Sequence, residues 1–325
     1  MKSRKRQTGV ALITAILLVA MATLLTTKLA WDYQISLRRT EAILVQEQAR
    51  FFAIGAEAVA ISVLLQDDAA FDHAGENWAQ VVPPMDIGID EITMGQMQGR
   101  LHDAQGRFNL NNLIPVRGAG PDKSSRAQFE RLVEILQLDR GIVDAVIDWI
   151  DEDTIPLPNG AEDSVYTALD PPYRPANNYF TSVTELRAVA NIDEESYAAL
   201  LPHVTAIHPD WCGAAGGITP ININSASAAV IEALHEDIDQ GQAKAWFDDR
   251  GEGENATGWE DMNQIPGWPA EYNNLPGTPA MIKSNCFGLN VLVNVGSSVL
   301  SMYSLLDRSV GADKIVTRVR IFGLD

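Results

Sequence analysis

Cysteine, histidine and basic residues are all scarce in this chain, and each shortage removes a class of function. Two cysteines and five scattered histidines in 325 residues exclude a disulfide-dense scaffold and most zinc-site patterns. Lysine and arginine number 24 against 43 acidic residues, a formal charge of -19. Such a surface repels phosphate backbones, so nucleic-acid binding is disfavoured from the start. The glycines of 213–217 come without a P-loop lysine, and His73, His102, His203, His208 and His235 form no Ser/His/Asp or HExxH pattern. With 46% hydrophobic and 21% charged residues the chain is neither disordered nor polytopic, and it has room for one elaborate domain or two ordinary ones.

Glycine and proline are missing from one long stretch in particular, residues 10–54. Those 45 residues suit a continuous helix of about 68 Å at ~1.5 Å per residue. Its first part, 10–27, is uncharged and apolar enough to span a bilayer at the short end of the range. Lys2, Arg4, Lys5 and Arg6 precede it, which predicts a cytoplasmic leader and a translocated carboxyl-terminal bulk. Further on, Leu37, Leu44 and Phe51, then Phe52, Ala56, Val59 and Val63, draw an amphipathic stripe.

Three leader types fit. A cleaved secretory signal needs a small-x-small site beyond the apolar core, whereas Ala20-Met21-Ala22 lies inside it. A plain signal anchor is physically adequate. The third rests on the junction: basic leader, Gly9, then an unbroken apolar helix. This junction resembles a type IV pilin-like signal, which implies prepilin peptidase cleavage after Gly9 and methylation of the new terminus at Val10. Pilins and pseudopilins mostly carry a glutamate at the fifth mature position, where this chain has Thr14. A buried glutamate is costly without a positive partner, and a subunit with nothing above it has no use for one. The departure resembles the K-type minor pseudopilin of type II secretion systems (general secretion pathway protein K), and the chain's size agrees.

The rest of the chain reads as α+β. Residues 97–103 alternate as a half-buried strand. Its expected partners lie at the far end, where Leu289, Val291, Val293 and Val295 share a face. There Ile315, Thr317, Val319 and Ile321 alternate with Arg318 and Arg320, which are expected to face outwards. Pro83-Pro84 reads as the end of a loop. The interval 108–285 reads helical, with segments at 127–138, 142–150, 182–190, 194–201 and 226–234. A weak internal echo joins Phe108-Asn109-Leu110-Asn111 to Ile221-Asn222-Ile223-Asn224, each ahead of a helix. The expected organisation is therefore a leader (1–9), a transmembrane and pilin helix (10–65) and a pseudopilin sheet domain (66–107 and 286–325). An inserted helical domain (108–285) splits the sheet and holds two pseudo-repeats, 108–205 and 218–285. Small helical pairs of this kind resemble helix-hairpin-helix or SAM-like modules, which often grip DNA. Here residues 141–173 hold eight acids and no lysine or arginine, which argues against DNA.

That acidic segment is the chemically pointed one: Asp148, Asp151, Glu152 and Asp153, then Glu162 and Asp163 beyond a Pro/Gly loop. Carboxylates converging without a base repel by several kcal/mol, about the scale set by charges ~4 Å apart at intermediate dielectric, unless a cation sits among them. Calcium suits hard oxygen ligands on an irregular loop, although the loop is not an EF-hand. A solvated acidic loop is the other reading. The K-type resemblance implies structural calcium in the insertion, mapped onto Asp151, Asp153, Glu162 and Asp163, with Asp148 and Asp170 as weaker candidates. Paired carboxylates also raise a glycosidase-like hydrolase, but no spacing singles out one acid and one base. Cys212 and Cys286 are expected to oxidise in the periplasm, worth roughly 4 kcal/mol by loop entropy, or else to stay as two reduced buried thiols.

The resemblance implies a non-enzymatic, single-pass inner-membrane protein with its bulk in the periplasm, which leaves the membrane on assembly. Its implied place is the pseudopilus tip, initiating or capping assembly in support of export. Implied partners are the I- and J-type minor pseudopilins, the major pseudopilin and prepilin peptidase, with the secreted substrate and the secretin channel as further contacts. A minor pilin of a type IV pilus would share the same junction, and a membrane-anchored periplasmic hydrolase is the third alternative.

Overall fold

In the computed structural model, residues 10–68, 70–89, 92–251, 253–269, 272, 279–296, 298–311 and 313–323 are described. The leader and Gly9 lie outside them. Helix α1 runs Val10–Leu65, 56 residues or about 84 Å, because nothing in it breaks the hydrogen-bond ladder. Its first four turns are uncharged, mostly apolar and bare. Lower down, Ala49, Ala53, Glu57, Ala60 and Leu64 are buried, a stripe spaced three to four residues apart. Small side chains let the helix sit close on the sheet. Leu44 and Phe51, expected on the packed stripe, are instead 59% and 71% exposed, with Leu37 and Val59 likewise bare.

Strands β1 (Val82–Ile89), β2 (Ile92–Asp103), β7 (Cys286–Val295), β8 (Ser298–Gly311) and β9 (Lys314–Phe322) form one antiparallel sheet in the order β1-β2-β7-β8-β9. Leu101, Leu289, Val291, Val293 and Met302 line the face that covers α1. Pro83 and Pro84 lie inside β1 rather than closing a loop. Proline is tolerated there because β1 is an edge strand with an irregular register between Val82 and Met85. A second irregularity, between Leu305 and Leu306 on β8, shifts the alternation of β9. Arg320 therefore does not face outwards. It reaches under α1 to Glu57, 2.9 Å from Nε, while Thr317 and Ser304 also donate to that carboxylate at 2.8 and 2.6 Å. The buried glutamate is fully answered, which anchors helix to sheet.

The insertion leaves between β2 and β7. It contains α2 (Lys123–Ile135), α3 (Gly141–Ile150), α4 (Asp163–Tyr166), α5 (Glu194–Leu200), α6 (Ala228–Ala233) and α7 (Gln240–Asp249) around its own core. Two short parallel ladders close its halves: β3 (Phe108–Asn109) on β4 (Val204–Thr205), and β5 (Ile221–Asn222) on β6 (Ala280–Met281). The sequence echo has a physical cause here. Asn111 exchanges two hydrogen bonds with the backbone of Phe180, at 2.8 and 3.0 Å. Asn224 does the same with Trp259, at 2.9 and 2.9 Å. In each half a buried amide satisfies a loop that has no strand partner. A Cys212–Cys286 disulfide, with Cα atoms 5.4 Å apart, ties the insertion to the start of β7.

Candidate metal centre

The acidic segment folds back on α3 because two aspartates of that helix hold the returning loop. Asp144 and Asp148 are four residues apart and both buried. Asp144 accepts from the Asn159 backbone at 3.1 Å and from Arg126 at 2.8 Å. Asp148 accepts from the Leu157 N–H at 3.1 Å. A side chain at Gly160 would collide with the Asp148 carboxylate, so only glycine lets the loop pass so close. The result brings Glu162 back beside the end of α3.

There Asp151, Asp153 and Glu162 each offer a carboxylate oxygen, all within 4.8 Å of one another. Asp151 caps the carboxyl end of α3, where the helix dipole adds to the negative field. Glu162 is 2% exposed, and neither of its oxygens has a hydrogen-bond partner; Asp151 Oδ1 is orphaned too. Burial, reinforced by the neighbouring carboxylates, pushes Asp151 and Glu162 up to about 7. Asp148 rises to about 6, again chiefly by burial. Buried oxygens without donors cost roughly 1–3 kcal/mol each, which natural folds avoid unless something answers them.

Not every expected ligand joins this group. Asp148 lies behind it as a loop-holding residue. Asp163 begins α4 and faces Arg174 at 3.8 Å, and Asp170 is exposed in the turn beyond. Asn177 was not expected from sequence. Its amide donates to the Asp153 carbonyl at 3.3 Å, and its own buried Oδ1 has no partner. Asn177 also has a φ of 44°, a left-handed conformation that asparagine tolerates better than most residues.

Three carboxylates, two of them with orphaned oxygens, a spare amide oxygen and no lysine or arginine in residues 141–173 form a hard, anionic donor set. Oxygens within 4.8 Å of one another are close enough to share one ion held at about 2.4 Å. The set fits calcium better than softer metals, which take histidine or cysteine. A second acid group, Asp67, Asp72 and Glu76, is also within 4.8 Å, and it too was missed in the sequence. It already contains a cation. Arg308 stands 3.0 Å from Asp67 and 2.5 Å from Asp72, while the Ser284 N–H and Trp78 Nε1 donate to Asp72 and Glu76.

Comparison with known proteins adds independent findings. Two family models, each described as type II secretion system (T2SS), protein K, match residues 106–210 and 221–279. The chain is 32% identical to type II secretion system protein K of Pectobacterium carotovorum subsp. carotovorum, covering 97% of both chains. It is 31% identical to that of Aeromonas hydrophila, covering 98% of both. Against the Pseudomonas aeruginosa protein identity is 37%, over 76% of this chain and 74% of that one. Among solved structures, a GspK–GspI–GspJ complex from the enterotoxigenic Escherichia coli type 2 secretion system is similar with a TM-score of 0.70. That match has 25% identity and covers 88% of this chain and 100% of the matched one.

Proposed function

The chain belongs to the type II secretion system protein K family, and from that premise we propose that it is the tip subunit of a pseudopilus whose head is stiffened by calcium. It is a structural minor pseudopilin and not an enzyme. The observation that carries the proposal is the shape of α1. An apolar rod stands clear of the head, and its lower half keeps Leu37, Leu44 and Phe51 bare on a helix already packed on its own sheet. Large apolar side chains left bare along a helix are the seam by which sister helices bundle. The GspK–GspI–GspJ neighbour supports I- and J-type partners for that seam.

The top of the rod supports a terminal position. Thr14 turns its hydroxyl back to the Val10 and Ala11 carbonyls, at 3.1 and 3.0 Å, so it asks nothing of a neighbour above. Cleavage after Gly9 with methylation of Val10, residence in the inner membrane before assembly, and contacts to the major pseudopilin, secreted substrate and secretin belong to the same reading.

In the head, Asp151, Asp153 and Glu162 would hold calcium, which would neutralise their mutual repulsion and supply the missing partners for their buried oxygens. Asp144, Asp148 and Gly160 set the loop so that the three meet. Calcium would then make the 151–163 loop a rigid part of the cap. The test is co-purification of the full-length chain with its I- and J-type sisters, titrated with calcium. A stable ternary complex, strengthened by calcium, is expected. A solitary membrane tether that never associates with them overturns the tip assignment. A complex indifferent to calcium and chelator overturns the metal.

A further inference from the structure

Several arginines of this acidic protein sit against carboxylates. Arg126, Arg308, Arg318 and Arg320 each pair with a buried acid. Arg100 and Arg107 do not. Among the described residues neither has a hydrogen-bond or ion-pair partner, although Arg107 is half buried and burial lowers the basicity of its guanidinium. Asp103 is close enough to act on Arg107 through space, but its oxygens are engaged by Gln105, Asn222 and Ser284 at 2.7, 2.8 and 2.6 Å. A half-buried guanidinium with no acceptor is an unusual expense in a chain with 43 carboxylates.

Both arginines line a cleft of about 450 Å³ between the sheet and the insertion. Its floor is the sheet face opposite α1, where Arg100, Asn290, Tyr303 and Ile321 form one cross-strand row. Leu305 and Val319 lie in the next row, and the 181–184 turn forms the opposite wall. Among the described residues, no acidic side chain lines this cleft. His102 stands over Gly288, whose missing side chain makes room for its ring. Burial first, then Arg107 and Arg100, push His102 down to about 4, so it is neutral and adds no competing charge at pH 7.

We propose that this cleft is a docking site for an acidic, partly apolar peptide segment of a partner protein. Its carboxylates would meet Arg100 and Arg107, and its aliphatic neighbours would lie on the half-buried Val319 and Ile321. Guanidinium forks match carboxylates two bonds at a time, and such bonds strengthen when water is excluded. The apolar floor selects a peptide over a bare anion, and the overall charge of -19 disfavours nucleic acid. The proposal uses no residue of the calcium group or of the α1 seam, so it stands or falls apart from them.

The test is fluorescence anisotropy on the full-length chain in detergent, with two labelled short peptides, one alternating leucine with glutamate and the other leucine with glutamine. The glutamate peptide is expected to bind more tightly by about tenfold or more, the value of one charged hydrogen bond of ~1.5–3 kcal/mol. The double substitution Arg100→Gln with Arg107→Gln should erase that preference, Arg107→Lys should keep most of it, and Arg38→Gln should leave it unchanged. Equal binding of the two peptides overturns the proposal. So does a preference that survives the double substitution in protein with an unchanged melting temperature. Should the double variant not fold, loss of the preference in Arg100→Gln alone carries the test. Inorganic phosphate displacing the peptide at equal concentration would show a small-anion site and overturn the peptide assignment.

Discussion

Among the described residues, two aspartates and a glutamate within 4.8 Å occur twice, once at the foot of α1 and once in the insertion. At the foot of α1 the chain supplies its own cation. Arg308 reaches in from β8 to Asp67 and Asp72, and Asp72 remains raised to about 7 because its complete burial outweighs that charge. Every oxygen of Asp72 is nonetheless bonded. In the insertion the same composition meets no arginine, and three carboxylate oxygens are left buried without partners. The difference teaches that an acidic cluster is defined by what answers it. The first is a completed structural junction between helix, sheet and insertion. The second is the group that, in our proposal, an external ion completes.

The largest effect should come from removing the internal cation. Arg308→Leu leaves Asp67 and Asp72 buried and uncompensated, and breaking such a pair from one side costs about 3–5 kcal/mol. Denaturant midpoints of the full-length protein should fall accordingly, by the same amount in calcium as in chelator. Full recovery with calcium would show that the two clusters are interchangeable and would break the comparison.

Removing the external cation should cost less. In the wild type, calcium at a hundredfold excess over its dissociation constant should add about 2.7 kcal/mol to stability. Glu162→Gln should lose that gain while slightly stabilising the chelated protein, because a buried charge disappears. The calcium increment in melting temperature reads both effects. A wild-type increment near zero, or one untouched in Glu162→Gln, removes Glu162 from the ligand set.

The pH dependence follows from the raised carboxylates, with sign. Asp151 and Glu162 sit at about 7 in the folded, ion-free chain, against ordinary values of 3.8 and 4.5. Between those limits the folded state holds protons that the unfolded chain has lost. Their contribution to stability is full below the ordinary values and disappears as pH rises through about 7. Calcium competes with the same protons, so its stabilising increment should grow as pH increases from about 5 towards 8. An increment that is flat across that range, measured by calorimetry, would place the ion elsewhere.

Much of this could be read from the chain because the signals were periodic or compositional. An uninterrupted helix needs only the absence of glycine and proline, and the alternation at 289–295 needs only one buried sheet face. What could not be read were long-range pairings. Nothing local marks Glu57 as the partner of Arg320, because a register shift on β8 turns β9 over. Nothing local shows that Leu44 and Phe51 stay bare while alanines pack, since helical spacing fixes a stripe but not what covers it. In the acid loop, sequence marked four carboxylates, with Asp148 and Asp170 as weaker candidates, but not which of them meet. Choosing among them depended on Gly160 and Asp148 setting the return path, and on Asn177 arriving from a later turn.

The smallest effects should separate ligands from bystanders within that segment. Asp163 has a partner of its own, Arg174 at 3.8 Å, and both side chains are substantially exposed. Such a surface pair is worth about 0–1 kcal/mol, and salt screens it. Asp163→Asn should therefore lower stability by no more than a few tenths of a kcal/mol and leave the calcium increment intact. Asp170→Asn, at an exposed turn, should do less still. Asp151→Asn differs by one oxygen in the same chemistry, yet it removes a charge from the group and should cut the increment sharply. If Asp163→Asn abolished the increment instead, the α4 turn would have to rotate its side chain inward when the ion binds. The distinction between a completed junction and an open one would then extend from which residues cluster to which of them move.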